Sequence, residues 1–231
     1  MKGKYTYVWV SLVILVFGII FIPRIIDRVK EGNIVDSDRH NVGKEVPGVE
    51  SADLLTVGPV PAFEFVDQHK DTVTNEDYKG KVYVVEFFFT TCPTICPVMN
   101  QNMVKIQNEF REDSRFGVAS FSINPEYDTP EVLAAYAEKH GANHPNWHFL
   151  TGDADKIYEL ANGGFNLYAG VNPEARGGFE HSGMFALIDG NGNIRSRKDK
   201  FGNPMVYYDG LEQEGIEMLK KDIAALLEEK Q

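Results

Sequence analysis

Two cysteines occur in the chain, Cys92 and Cys96, within Thr91-Cys92-Pro93-Thr94-Ile95-Cys96-Pro97. A thiolate attacks disulfides and is also the protein's softest metal donor, so a close pair of cysteines can serve either chemistry. Disulfide-stapled secreted domains usually spread several cysteines along the sequence, whereas an isolated pair points to a redox couple or to metal ligands. Thioredoxin-type oxidoreductases usually place two residues between their cysteines and this loop has three, Pro93, Thr94 and Ile95, so the spacing leaves both readings open. Two inert, packed thiols are the third reading. The cysteines' position at the mouth of an expected helix, directly after a buried strand, argues against it. There the positive end of the helix favours thiolate over thiol, Pro93 and Pro97 stiffen the turn, and a helical first turn would put both sulfurs on one face.

A third donor would decide between the two chemistries, and the sequence offers six histidines. His40 lies in a polar stalk and His69 in the turn-like Asp67-Gln68-His69-Lys70-Asp71, so both read as solvated surface residues. His140, His144 and His148 cluster in KHGANHPNWH around a helix end and a proline turn. There the helix dipole already accounts for His140. His181 stands apart, in the glycine-flanked Gly177-Gly178-Phe179-Glu180-His181-Ser182-Gly183 just before an apolar strand. An imidazole added to two thiolates gives a mixed soft and borderline S₂N set suited to copper in either oxidation state.

These residues need a frame. Lys81 to Phe89 is a nearly continuous apolar run between Gly80 and Thr90, the pattern of a buried central strand. Met99, Met103, Ile106 and Phe110 recur at helical spacing and predict a helix over about Pro97 to Phe110. Phe116 to Ile123 is a second strand, and Asp128-Thr129-Pro130-Glu131 a capped, proline-started helix running to Lys139. Trp147 to Leu150 is a short strand, and Asp153 caps a helix to about Leu160. Met184 to Ile188 and Ile194 to Arg197 flank Asp189-Gly190-Asn191-Gly192-Asn193 as a hairpin, and Leu211 to Glu229 carries one apolar helical face. Strand, cysteine loop, helix, βαβ, hairpin and final helix is the order of an α/β, three-layer, thioredoxin-like domain.

Before this domain, Tyr5 to Ile22 runs for 18 residues without a formal charge. As a helix that is roughly 27 Å, close to a bilayer core. Tyr5, Tyr7 and Trp9 at one end and Arg24 and Arg28 at the other are placed as interfacial anchors. The competing reading is a cleaved signal peptide, but the run is long for one and no small-x-small site follows it. The expected organisation is a membrane anchor over 1–26, a polar stalk over 27–55 and the thioredoxin-like domain over 56–231, with the domain on the exported side. The net charge is −11, and the first thirty residues carry five Lys or Arg against one Asp, so the remainder is more acidic still. Nucleic acid is excluded as an expected partner.

Three stretches together, TTCPTICPVMN, FSINPEYDTPEVLAAYAEKH with WHFLTG, and EHSGMFALIDGNGNI, resemble the Sco/SenC family of copper proteins over about Val60 to Glu229. The resemblance implies a thioredoxin-like domain tethered by one N-terminal helix, with copper(I) or copper(II) held by Cys92, Cys96 and His181. It further implies assembly of the dinuclear copper centre of cytochrome c oxidase subunit II, by delivering copper, by reducing that subunit's cysteines, or both. A thiol reductant partner goes with that role. Members commonly have Asp where this chain has Thr94 and Asn124, which removes negative charge near the expected site. The alternative is a thiol-disulfide oxidoreductase in which Cys92 attacks a partner disulfide, Cys96 resolves it and no copper is carried.

Overall fold

The computed structural model describes residues 54–199 and 201–229, together with 11, 12, 15–17, 19 and 21. The chain divides into two units, Met1–Val42 and Gly43–Gln231. The positions described in the first are helical, and among the described residues no helix is long and apolar enough to cross a membrane. The expected span of Tyr5 to Ile22 lies partly outside the described residues, and the stalk almost wholly so.

The second unit is built on a strand that cannot sit anywhere but in the centre. All seven residues of β4 (Val82–Phe88) are buried, because both faces of the strand are covered. It pairs in parallel with β5 (Phe116–Ser122) and antiparallel with β9 (Met184–Ile188). With β1 (Leu55–Pro59), β6 (Trp147–Leu150) and β10 (Asn193–Ser196), these strands form a sheet of order β1-β10-β9-β4-β5-β6, and β11 (Tyr208–Asp209) pairs with β9. Two small ribbons stand outside it, β2 (Glu64–Val66) with β3 (Thr72–Thr74), and β7 (Ala169–Val171) with β8 (Phe179–His181).

Side chains of β4 alternate between the two covering layers. Phe87 stacks with Phe121, which meets Phe63 and Phe65 edge-on, while Phe165 closes on Phe87. Phe88 instead meets Phe149 and Tyr136 of α2 (Pro130–His140). On that side α1 (Cys96–Glu109) lies between α2 and α4 (Gln213–Glu228). Asn100 bonds Tyr136, Gln107 bonds the Gly141 carbonyl, and Glu109 pairs with Lys220. The result is the α/β, three-layer, thioredoxin-like arrangement expected from the order of elements.

Several local expectations are met by the physics that suggested them. The Asp189–Asn193 turn closes β9 on β10 because Asp189 Oδ1 accepts from the Asn191 and Asn193 amides and Gly192 takes a φ of +77°. The α4 face Ile216, Leu219, Ile223, Leu226 and Leu227 is buried as a stripe. Asp153 caps α3 (Ala154–Tyr158) through the Lys156 amide, and the chain then continues as a wider π-helical turn over Glu159–Gly164. The cap of α2 is Thr129, whose hydroxyl accepts from the Val132 amide, with Pro130 in the first turn. Asp128, read with it as part of the cap, has a different role.

Candidate metal centre

Phe89 to Ile95 is a loop of turns and bends, and α1 starts at Cys96 itself. The two sulfurs therefore meet because the loop folds back over the helix start, not because both lie on one helical turn as the spacing suggested. Cys96 is fully buried and Cys92 is 8% exposed. His181, expected in a loop, is the last residue of β8, and pairing with Ala169 fixes its backbone. The reactive atoms of Cys92, Cys96 and His181 all lie within 4.8 Å of one another, and Cys96 Sγ is 3.0 Å from His181 Nε2. Among the described residues they are the one such cluster of His, Cys, Asp or Glu.

The imidazole is oriented as a donor. Its Nδ1 is 3.0 Å from the Ser182 carbonyl oxygen, which can only accept, so Nδ1 carries a proton and Nε2 is the ring atom that faces the sulfurs. Such an outer hydrogen bond is how metal-ligating histidines are usually held. Phe89, at the end of the central strand, meets the His181 ring edge-on at 5.9 Å and packs on Phe179 at 5.3 Å. A Cβ at Gly177 would lie 2.9 Å from the Phe89 ring and 3.2 Å from Pro93, and its φ is +93°. Only glycine lets the segment before β8 approach the cysteine loop this closely.

The loop is fastened from the other side by Asp128. This buried carboxylate accepts from the Thr90 amide at 3.1 Å, from the Thr90 hydroxyl and from the Ser122 hydroxyl. It thereby ties the start of the cysteine loop to the end of β5. Asn100, also buried, donates to the Cys96 carbonyl at 2.9 Å and to the Tyr136 hydroxyl at 2.8 Å. The sequence signal for Asp128 was an acidic residue ahead of a helix that already had Thr129 as its cap. Of the two positions at which the chain departs from the resemblance, Thr94 places its hydroxyl 3.5 Å from Cys92 Sγ, and the Asn124 backbone amide donates to Ser122, one of the Asp128 partners.

The remaining described histidines are accounted for by packing and hydrogen bonds. His148 Nδ1 bonds buried Asp67 at 3.0 Å, and burial of that carboxyl is outweighed by His148 and by the Asp71 and His69 amides, which hold it below its usual range. His144 accepts from the Asn146 amide, and His140 lies against the Tyr136 ring. His69 sits in the turn closed by Asp67, where Lys70 takes a φ of +70°.

The two sulfurs differ in charge. A hydrogen bond from Cys96 pulls the Cys92 thiol down to about 3, with help from His181 and Thr94 against the opposing effect of burial. The Cys92 anion and burial push Cys96 the other way, so the pair shares one proton and keeps it on Cys96. In the reduced, metal-free domain, alkylation of Cys92 by iodoacetamide is therefore expected to proceed at a nearly constant rate from pH 5 to pH 8. An ordinary thiol would gain about tenfold per pH unit there. A steep rise over that range, followed by mass spectrometry of the modified peptide, would contradict the thiolate assignment.

The site opens into a cavity of about 320 Å³ walled by Phe89, Ile95 and Phe179, with Arg176 and Glu180 at its lining. Two sulfurs and one imidazole nitrogen, converging with an open side, form a donor set that fits copper.

Comparison with known proteins points the same way. The family model described as SCO1/SenC matches residues 56–214. The SCO1 protein homolog of Bacillus subtilis is 33% identical over 154 residues, which are 66% of this chain and 78% of that protein. BsSco, a member of the Sco family of cytochrome c oxidase assembly proteins in which a disulfide switch was identified, superposes with a TM-score of 0.64 at 29% identity. That match covers 77% of this chain and 98% of that one. The copper-bound ScoI of Bradyrhizobium japonicum shares the fold, with a TM-score of 0.57 at 23% identity over 73% of this chain and 99% of that one.

Proposed function

The chain belongs to the SCO1/SenC family, and on that footing we propose that it is a copper carrier whose ligands are Cys92, Cys96 and His181. The observation that carries the reading is the convergence of two sulfurs and an oriented imidazole at the mouth of an open cavity. Copper(I) suits the site because two thiolates and an imidazole satisfy a soft, low-coordinate ion, and an open face lets an incoming donor replace them one at a time. The receiving protein we infer is subunit II of cytochrome c oxidase, in keeping with the assembly role of the related BsSco. The uncharged run from Tyr5 to Ile22 is read as the tether that holds the domain on the exported side of a membrane.

Closing the Cys92–Cys96 pair into a disulfide would withdraw both sulfurs, so oxidation empties the carrier and reduction reopens it. The Cys92 thiolate favours a second activity of the same atoms, attack on a partner disulfide with Cys96 as the resolving thiol.

The test is a titration of the reduced domain with copper(II), followed by transfer from the copper(I) form to the soluble domain of subunit II. One equivalent of copper with a sulfur-to-copper charge-transfer band, then appearance of the dinuclear centre's spectrum in the acceptor after one-electron oxidation with ferricyanide, is the expected course. Absence of the band overturns the ligand set. Normal copper binding with no transfer, together with reduction of an oxidised acceptor by the metal-free domain, moves the assignment to the oxidoreductase.

A further inference from the structure

The ribbon that carries His181 has one covered edge and one open edge. Its strands pair antiparallel, and the Ser182 amide donating to the Tyr168 carbonyl and the Asn172 amide donating to the Gly178 carbonyl mark two rungs at which they face each other. In such a ladder, bonded pairs alternate with pairs whose N–H and C=O groups point away from the partner strand. Gly170 and Glu180 are the bonded pair between those rungs, so Ala169 and Val171 on β7, and Phe179 and His181 on β8, direct their backbone groups outward. The side chain of Asn162 shows this on β7. It accepts from the Ala169 amide at 3.1 Å and donates to the Ala169 carbonyl at 2.8 Å, covering that edge as a further strand would. On β8, among the described residues, the outward N–H and C=O groups of Phe179 and His181 take no hydrogen bond. Both residues are half-buried and Glu180 between them is exposed. An unmet strand edge is a template for pairing with another chain.

The open edge is continuous with the metal centre. Phe179 and His181, two apart on β8, share a face, and both their rings meet Phe89. That face borders the cavity walled by Phe89, Ile95 and Phe179, into which Cys92 also opens. A chain laid along β8 would find its amides and carbonyls met by those of Phe179 and His181. Its alternate side chains would point to the side where the cavity and Cys92 lie.

We propose that β8 receives an extended segment of the partner protein by strand addition, with a cysteine of that segment opposite His181 and an apolar side chain two positions away, opposite Phe179. The inference rests on the reading above, that Cys92 exchanges copper or a disulfide with a partner's cysteine, and names how that cysteine is presented. The backbone bonds hold the segment, the apolar side chain enters the cavity, and the partner's sulfur arrives beside Cys92. Cysteines inside a helix or a paired strand are poor partners, because their own backbone groups are already engaged.

The test uses the reduced full-length chain with Cys96→Ser, and short peptides containing Leu-Ala-Cys whose cysteine is joined to thionitrobenzoate. The Cys92 thiolate attacks the peptide sulfur, the Cys92–peptide disulfide forms, the original S–S bond breaks, and thionitrobenzoate leaves as the coloured anion that reports the rate. N-methylation of each peptide amide in turn is expected to slow the reaction roughly tenfold at alternate positions, where an N–H bonded to β8 is lost, and by less than about twofold at the positions between. In the trapped complex, hydrogen exchange at the Phe179 and His181 amides should slow by at least about tenfold while the Glu180 amide, already paired with Gly170, is unchanged. Aspartate in place of the leucine should slow the reaction by a similar factor. Slowing without a two-residue period, unprotected Phe179 and His181 amides, or equal rates for leucine and aspartate would each overturn the proposal. If Cys96→Ser does not fold, amide protection in wild type saturated with the corresponding serine peptide decides alone. The mixed disulfide of N-acetylcysteine, which has no strand to add, reports the reactivity of Cys92 by itself. If it reacts and the peptides show no period, strand addition fails while the thiol chemistry stands. If the period persists in a chain that neither binds nor transfers copper, the carrier reading fails and strand addition stands.

Discussion

Replacing Cys96 by alanine is expected to abolish tight copper binding, with a loss greater than the ten- to hundredfold that follows removal of an outer hydrogen-bond partner. Cys96 is the donor held most firmly. It is fully buried at the start of α1, its carbonyl is held by Asn100, and its sulfur is 3.0 Å from His181 Nε2. Removing Sγ leaves Cys92 and the imidazole, too few strong donors to hold copper against free thiols in solution. It also removes the hydrogen bond that lowers Cys92, so the remaining thiol should titrate nearer its ordinary range. The fold should survive, because deleting one buried sulfur costs on the order of 1 kcal/mol. Copper stoichiometry after equilibration with a competing chelator, with circular dichroism as the folding control, gives the result directly. Stoichiometric retention of copper would remove Cys96 from the ligand set.

Asp128→Ala should produce the largest loss of stability among substitutions near the site, and should also weaken copper binding although Asp128 is not a ligand. The carboxylate, itself fully buried, collects the Thr90 amide, the Thr90 hydroxyl and the buried Ser122 hydroxyl. Alanine leaves these donors without an acceptor, at about 1–3 kcal/mol for each buried group left unsatisfied. A total of about 3–5 kcal/mol would lower the melting temperature of a domain of this size by on the order of 10 °C. With Thr90 released, the loop that carries Cys92 loses its fixed start and the affinity for copper falls with it. Asp128→Asn, which retains one acceptor oxygen, should lose roughly half as much. Differential scanning calorimetry of the three proteins in the metal-free state tests the order. A melting point for Asp128→Ala within 2 °C of wild type would mean that the contacts are incidental.

Much of this architecture was legible in the residues because long elements bury long patterns. The central strand, the α1 stripe of Met99, Met103 and Ile106, the β9–β10 turn and the terminal helix each repeat their signal over many positions. The three converging donors were legible because sulfur and imidazole are scarce in this chain and lie in motifs that recur together. What escaped was short or tertiary. The β7–β8 ribbon has three residues per strand and contains glycine, so no alternation announces it. The bend that brings Cys92 over Cys96 depends on Gly177 and Asp128, which come from other parts of the chain. Glu86 is hidden in the sequence by the apolar run around it, Val82, Val84, Val85 and Phe87, and its full burial shows only in the fold.

The unequal depth of the two sulfurs sets the traffic rules of the molecule. Cys96 is fully buried and lines no part of the cavity described above, while Cys92 and His181 border it. If the site carries copper as proposed, an ion reaches it through that cavity, and the innermost sulfur is the last to let go. A donor and a recipient using that face would have to take turns on it, so handover on this reading runs as two successive encounters.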